Sequence, residues 1–439
     1  MKRVREIQLV VAACILFLGL TRPAGALKPG DTLNETNWKE AEGQMPPEIL
    51  EHYQKGEYAN RVVDWPEGMV KSDEEFAAAT RANAETLAVT DLGSIIDKKT
   101  GEQPAFVYGV PFPRIDPQDP GAAVKILWNH YYGFWSQGNN RTLTILNFVN
   151  PHGVDREVSQ DVYFIYYDAQ PSWRRPPSNP RNLLSQMLAT TMGPADLYGT
   201  TALSWRYRDA AQRDSVWAYV PALRRVRQVS PTNRSDGFLG SDLSQDDGPF
   251  FDGKPEDFNW KFVGETEIYR YSDPFSIRGE VGSRVLEDGG WRMTYNPVPM
   301  VGYQDPNWKG LAWAPISMAL AKRKSWIIEG TPKDKYYLAG KVQLYIDKEN
   351  YQGAYNRKFN WQGELMNVYA VNGILTRSPD GKNHFRMYAT TWQGAENLKM
   401  GRSTIAGAPP PGWKDPPADY CIPLEPDFFN YQSLLRFGK

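Results

Sequence analysis

Cysteine is almost missing from this chain of 439 residues, which has 2, Cys14 and Cys421. Cys14 lies inside an N-terminal apolar run, so the rest of the chain has a single thiol and no intramolecular disulfide. A chain this long buries enough surface to fold without one. Histidine is nearly as scarce, with 4 residues (His52, His130, His152 and His384), none at the spacing of a helical zinc pair. There is no G-x-S-x-G elbow and no phosphate-binding loop. Cys421 sits in a proline-rich tail with no histidine near it in sequence. No catalytic residue, metal site or cofactor is therefore expected. Charge of one sign is not in excess either, at 50 Lys+Arg against 51 Asp+Glu. Without the first 26 residues, which hold Lys2, Arg3, Arg5, Arg22 and Glu6, the balance is 46 against 50, a formal charge of −4. That balance excludes a general polyanion binder, and nucleic acid is not an expected partner. Beyond the N-terminus no apolar run reaches the length of a membrane span. Arg and Lys recur along the strand patterns, which argues against a transmembrane barrel.

The N-terminus carries the most specific address. Lys2, Arg3 and Arg5 precede an apolar run from Ile7 to Leu20, and Ala24-Gly25-Ala26 supplies a small-residue cleavage site. This is the layout of a secretory signal peptide over 1–26, and it places the remainder in the periplasm. Val11-Ala12-Ala13-Cys14 competes as a lipoprotein processing box, but cleavage there would leave Ile-Leu-Phe-Leu at the new terminus. Cleavage after Ala26 is preferred.

Residues 27–120 read as a helical and extended N-terminal region. Pro46-Pro47 opens a short helix through Tyr53. Ser72 and Glu75 form a capping box for a second helix through Val89. Prolines at 104, 111, 113, 117 and 120 then enforce extended chain. From 121 to 439 a helix at Ala122–Trp135 is followed by strand patterns, among them Leu143–Phe148 and Asp161–Asp168. Leu203, Trp205 and Tyr207 share one strand face, Trp291, Met293 and Tyr295 another, and Val342, Leu344 and Ile346 a third. Asp288-Gly289 and Asp380-Gly381 mark hairpin turns. Further helices are expected at Arg181–Met192, with Asn179 as N-cap, and near Pro315–Arg323. The predicted fold class is α+β, mainly antiparallel β: a large curved sheet or incomplete β-barrel packed around helices, with an extended C-terminal tail.

The unusual chemistry is concentrated in DSVWAYVPALRRVRQVSPTNRSDGFLGSDLSQDDG, residues 214–248. A hairpin with Pro221-Ala222 at its tip would put Val220 opposite Leu223 and Trp217 opposite Val226, with Arg224 over Tyr219, and a two- or four-residue loop gives the same facial parity. Arg225 and Arg227 would then meet the acids of the following loop. Those acids lack the alternating spacing of a calcium loop, so ion pairing and Asx turns are expected of them. Aromatic-Gln-Gly recurs at Tyr351, Trp361 and Trp392, and the glycines read as bulge or turn positions.

The same central stretch resembles a Gram-negative envelope family known as domain of unknown function thirteen twenty-nine, related to the outer-membrane lipoprotein-sorting (LolA/LolB-like) superfamily. Gly193-Pro194-Ala195-Asp196-Leu197 through Arg208 and the segment Trp326–Glu349 carry the likeness further. The resemblance implies an incomplete antiparallel barrel wrapped round helices, with an apolar cavity for acyl chains or similar ligands. It also implies a partner among envelope export systems of the RND type, an inner-membrane exporter or an outer-membrane component. This chain is far longer than a simple Lol carrier.

The aromatic content of 13%, with 15 Trp, points to a wide apolar surface. With no catalytic signature, the sequence supports a non-enzymatic periplasmic carrier for a lipid, acyl chain or other hydrophobic ligand. The expected ligand-binding residues are Phe164, Tyr166, Trp205, Tyr207, Trp217, Tyr219, Trp291 and Tyr295. A structural adaptor of an envelope complex is the alternative. A carbohydrate-binding protein or hydrolase is a third reading, because Trp and Tyr also stack on sugars.

Overall fold

The computed structural model describes residues 27–65, 68, 70–176, 178–274, 282–294, 300–377, 385–387, 390–407 and 418–438. The proposed signal peptide, Tyr295, His384 and the Asp380-Gly381 turn lie outside them. Of the 22 strands among the described residues, 18 form one sheet, and four α-helices accompany them.

The N-terminal region contributes β1 (Thr32–Leu33), helix α1 (Pro47–Gln54), β2 (Asn60–Val63), helix α2 (Glu74–Thr86) and a separate ribbon of β3 (Leu87–Val89) with β4 (Ile95–Asp97). Helix α3 (Ala122–Trp135) follows. Next come β5 (Asn140–Asn150), β6 (Gly153–Tyr166), β7 (Leu183–Gly193), β8 (Thr201–Tyr207), β9 (Ser215–Val220) and β10 (Arg225–Val229). Each pairs antiparallel with the next, so β10 lies at one end of this meander. The second half of the chain adds β11 (Phe258–Ser272), β12 (Ser283–Val285), β13 (Trp291–Met293), β14 (Ala319–Pro332), β15 (Lys341–Asp347), β16 (Gly353–Phe359) and β17 (Leu365–Val371). A small ribbon of β18 (Thr376–Arg377) and β19 (Phe385–Met387) precedes β20 (Trp392–Asn397), β21 (Arg402–Gly407) and β22 (Ala418–Tyr420). The halves join where β21 pairs with β5, and the run continues through β20, β17, β16, β15 and β14 to β11. No pairing between β10 and β11 occurs among the described residues, and the sheet is not closed into a barrel. β2 adds a parallel pairing onto β14. The C-terminal helix α4 (Tyr431–Phe437) packs against β8 and β9.

Helix α3 organises the interior. Its sequence, AAVKILWNHYYGFW, is apolar on nearly every side, and such a helix is stable only when enclosed. Trp128, Tyr131, Tyr132 and Trp135 are all buried in the largest core cluster. Three of their polar tips find an acceptor: Trp128 Nε1 donates to Gly93 O at 2.7 Å, Tyr131 OH to Gly253 O at 2.6 Å and Tyr132 OH to Asp168 Oδ2 at 2.5 Å.

Two expected helices are strands. Residues 183–188 repeat leucine and methionine at helical spacing, yet Leu183–Gly193 is β7. Both faces of this strand are buried, so the alternation that betrays a strand is hidden. The adjacent leucines fall into different clusters because they point to opposite faces, and a bulge between Leu183 and Ser185 breaks the alternation further by bringing Leu184 and Ser185 to the same side. Asn179 does not cap a helix: its side chain both accepts from Leu183 N and donates to Leu183 O, each at 2.8 Å. Ala319–Pro332 is β14, because pairing with β11, β15 and β2 overrides the helix propensity of ALAKRK. The cap of α2 shifts by one residue, with Asp73 rather than Ser72 accepting from Phe76 N at 2.8 Å. The helix stops at Thr86, where Leu87–Val89 turns into strand.

The N-terminal region is locked to the sheet by His52. Its ring bridges two carboxylates, Nδ1 to Glu57 Oε2 at 2.7 Å and Nε2 to Glu396 Oε2 at 2.8 Å. Burial disfavours its charged form, but the hydrogen bonds and charges of Glu396 and then Glu57 outweigh that and raise its pKa. A raised histidine pKa adds stability that is complete below about 6.5 and fades as pH rises through the folded value. The unfolding-midpoint difference between wild type and His52→Gln is therefore expected to shrink from pH 6 toward pH 9. A difference that grows with pH would contradict this assignment.

Candidate functional site

A cavity of about 220 Å³ lies between α3, the inner faces of β5–β8 and the loop 234–252. That is many times the ~10–15 Å³ that one water needs. Strand parity decides which side chains reach it. β6 presents Gln160, Val162, Phe164 and Tyr166, and β7 presents Ser185, Met187 and Ala189. Phe164 and Tyr166 stack at 6.1 Å with planes 7° apart, and Tyr166 stacks on Trp135 of α3 at 5.7 Å. Tyr131 in turn stacks on Trp135 at 5.4 Å. These rings form a continuous aromatic wall.

The loop that closes the cavity is the acidic half of the 214–248 stretch. Arg234 carries the centre of it: Nε donates to Asp246 Oδ1 at 2.6 Å, Nη2 to Asp252 Oδ2 at 2.7 Å and Nη1 to Ser204 Oγ at 3.2 Å. Arg206 of β8 holds Asp214 at 2.9–3.0 Å and Asp252 at 3.0 Å. Asp247 pairs with Lys358 of β16 and caps Ser244. Asp242 pairs with Arg402 of β21 at 3.0 Å. The loop is thus pinned to β8, β16 and β21. Asp246 is raised from the usual carboxylate range, first by burial, while the Arg234 charge opposes the shift. His130, also on the lining, is held down to about 4, chiefly by burial, and its Nδ1 lies 2.9 Å from Tyr351 O.

Gly353 permits the loop's exit to pack. A Cβ there would sit 2.1 Å from the Phe250 ring, so only glycine fits beneath that ring. Gly394, inside β20, meets a close approach as well, with a Cβ 2.8 Å from the Trp392 ring, whereas Gly363 is a turn glycine at φ 83°.

Of the eight expected ligand-binding residues, the cavity gathers Phe164 and Tyr166. Trp205, Tyr207, Trp217 and Tyr219 lie on the opposite face of the sheet, in a cluster with Phe429 and Leu434 of the C-terminal segment. There Trp205 Nε1 donates to Phe429 O at 3.1 Å. Trp291 stacks on Tyr420 at 4.4 Å in a separate cluster. The alternation in β8 was legible but not its sense: the polar side chains Ser204 and Arg206 face the cavity, and the aromatic face is covered by the tail. Arg206, Arg234, Met187 and the α3 rings are the lining residues that sequence reasoning missed. The alternation of Ser204 and Arg206 with bulky aromatics was the available signal, since charges on a strand buried on both faces must meet a built polar site.

The hairpin also departs in part from expectation. Arg225 pairs with Val220 and Val226 with Tyr219, a register two residues further on than a Pro221-Ala222 tip allows. The turn takes four residues, Pro221 to Arg224, with Arg224 in the left-handed region at φ 49°. The facial assignment survives because a shift of two preserves parity. Arg224 therefore serves the turn. Arg225 and Arg227 are exposed, and neither has an ion-pair partner among the described residues. The loop acids are met by Arg206, Arg234, Lys358 and Arg402 instead. Replacing Arg225 and Arg227 together by Ala is expected to change stability by less than about 0.5 kcal/mol each in urea titration. A loss above about 2 kcal/mol would show a missed partner.

Among the described residues no group of His, Cys, Asp and Glu is arranged to hold a metal ion. No helix there is long and apolar enough to cross a membrane.

The family model described as "Protein of unknown function (DUF1329)" matches residues 32–434. An uncharacterized protein of Pseudomonas aeruginosa is 22% identical over 306 residues, 66% of this chain and 57% of that protein, so the chain spans little more than half of this relative. Solved structures with a similar fold include a DUF1329 family protein from Desulfovibrio piger, at TM-score 0.48 and 16% identity over 73% of this chain and 99% of that one. A putative outer membrane lipoprotein-sorting protein domain from Vibrio parahaemolyticus aligns at TM-score 0.47 and 14% identity over 72% and 99%. A LolA superfamily protein from Nitrosomonas europaea aligns at TM-score 0.41 and 12% identity over 71% and 98%.

Proposed function

The chain belongs to the DUF1329 family, and on the cavity between α3 and the sheet we propose that it is a non-enzymatic carrier or binding protein for a hydrophobic ligand. The observation that carries this reading is the composition of the wall. Phe134, Leu146, Val162, Phe164, Met187 and Ala189 enclose a space that a compact core would have filled. Each methylene moved there from water contributes about 0.8 kcal/mol, so a chain of modest length gives useful affinity. The α3 rings and the paired charges of the loop give a preformed wall, which lowers the cost of binding. The periplasm is the proposed compartment, and an envelope export system the proposed recipient of the ligand.

Titration with an environment-sensitive acyl or sterol probe tests this. Saturable enhancement, reversed by unlabelled lipid, is the expected result. An absence of saturable signal with either probe would remove the carrier reading.

A further inference from the structure

The charges around the cavity say which ligands fit, provided that the carrier reading holds. The charged side chains on its lining are Arg206, Arg234, Asp247 and Asp252. Each is held in an ion pair, and the one charged-group oxygen left open among them is an acceptor, Asp247 Oδ1, which has no hydrogen-bond partner among the described residues. Arg206 is shared between Asp214 and Asp252, Arg234 between Asp246 and Asp252, and Asp247 is paired with Lys358. With these ion partners included, three cations (Arg206, Arg234 and Lys358) face four carboxylates (Asp214, Asp246, Asp247 and Asp252). Among the described residues no cation is left over in this group, and its surplus is negative. A carboxylate or phosphate head entering this space would lose its water and gain no counter-charge, which weakens its binding.

Two neutral amides on the lining, by contrast, each keep a donor without a partner among the described residues. Gln137 is 2% exposed and lines the cavity, and its Nε2 has no hydrogen-bond partner among the described residues. Gln245, on the loop, likewise lines the cavity with an unpartnered Nε2. Both are uncharged donors, matched by a carbonyl or hydroxyl oxygen rather than by an ion. We infer that the cavity selects uncharged amphiphiles, such as an ester, an alcohol or a sterol-like ring, against free fatty-acid anions and phosphate-bearing lipids.

The test is displacement of a bound neutral fluorescent probe from the full chain by myristyl alcohol, methyl myristate and myristate at about pH 8, where a carboxylic acid is ionised. The alcohol and the ester are expected to displace at concentrations at least about tenfold below myristate. Myristate that competes as well as the alcohol, or better, overturns this inference and leaves the carrier reading standing. Failure of all three, with no probe bound, overturns both. Asp252→Asn removes one carboxylate from the rim and is expected to narrow the gap between myristate and the alcohol. An unchanged gap in a folded Asp252→Asn protein counts against the charge argument, and if that variant does not fold the wild-type comparison decides alone.

Discussion

Asp168→Asn is expected to lower the unfolding free energy by about 3–5 kcal/mol, the size seen when one partner of a buried ion pair is removed. Asp168 has no exposed surface, and Arg208 grips it with two parallel bonds of 2.6 and 2.7 Å. Tyr132 OH donates to the same carboxylate, and Val107 N approaches its other oxygen at 3.3 Å. The residue therefore ties α3, the end of β6, the residue after β8 and the extended N-terminal segment together at one point. Asparagine keeps the shape but leaves the buried guanidinium without its charge partner. Urea midpoints measure the loss, and a double variant with Arg208→Met should recover part of it, since the uncompensated charge is then gone. A single variant as stable as wild type would mean that the pair is not buried as described.

The second large effect concerns the cavity itself. Ala189 lies on β7 opposite Val162, and both residues line the cavity. Ala189→Trp should place an indole in the open space of the cavity. If it displaces four methylenes of a bound chain, the loss is about 3 kcal/mol, or roughly a hundredfold in affinity. Stability should stay within about 1 kcal/mol, because a side chain entering open space escapes the ~1–3 kcal/mol cost of overpacking. Probe titration and urea unfolding on the same preparation separate the two quantities. Unchanged binding, or destabilisation with binding retained, would show that the space is not the ligand site.

The class of fold was legible because alternation survives wherever one strand face is polar, as in the first half of β11, where exposed and half-buried residues alternate from Asn259 to Glu267. It was hidden in β7 and at the start of β14, where neighbours cover both faces and periodicity loses its meaning. Helix α3 was legible to the residue because it is long and strongly apolar. The site was only half legible for a related reason. Sequence parity grouped Trp205 with Tyr207 and Arg206 with Arg208, but which group faces the helix depends on the tail. Pro426–Phe428 and α4 lie hundreds of residues away and claim the aromatic face. Likewise, the acids of the 214–248 stretch do find arginines. The partners are set by strand order rather than by proximity in sequence, and so Arg206 and Arg402 serve where Arg225 and Arg227 were expected.

The central claim is that the space against α3 is filled by a hydrophobic molecule in the working protein. Native mass spectrometry of the full chain purified from cells that express it, followed by solvent extraction of the same sample, is the direct test. The expected result is a mass increment of one lipid-sized, uncharged molecule that extraction recovers and that Ala189→Trp abolishes. A bare chain mass, with nothing recovered by extraction and no uptake of added lipid, would contradict it.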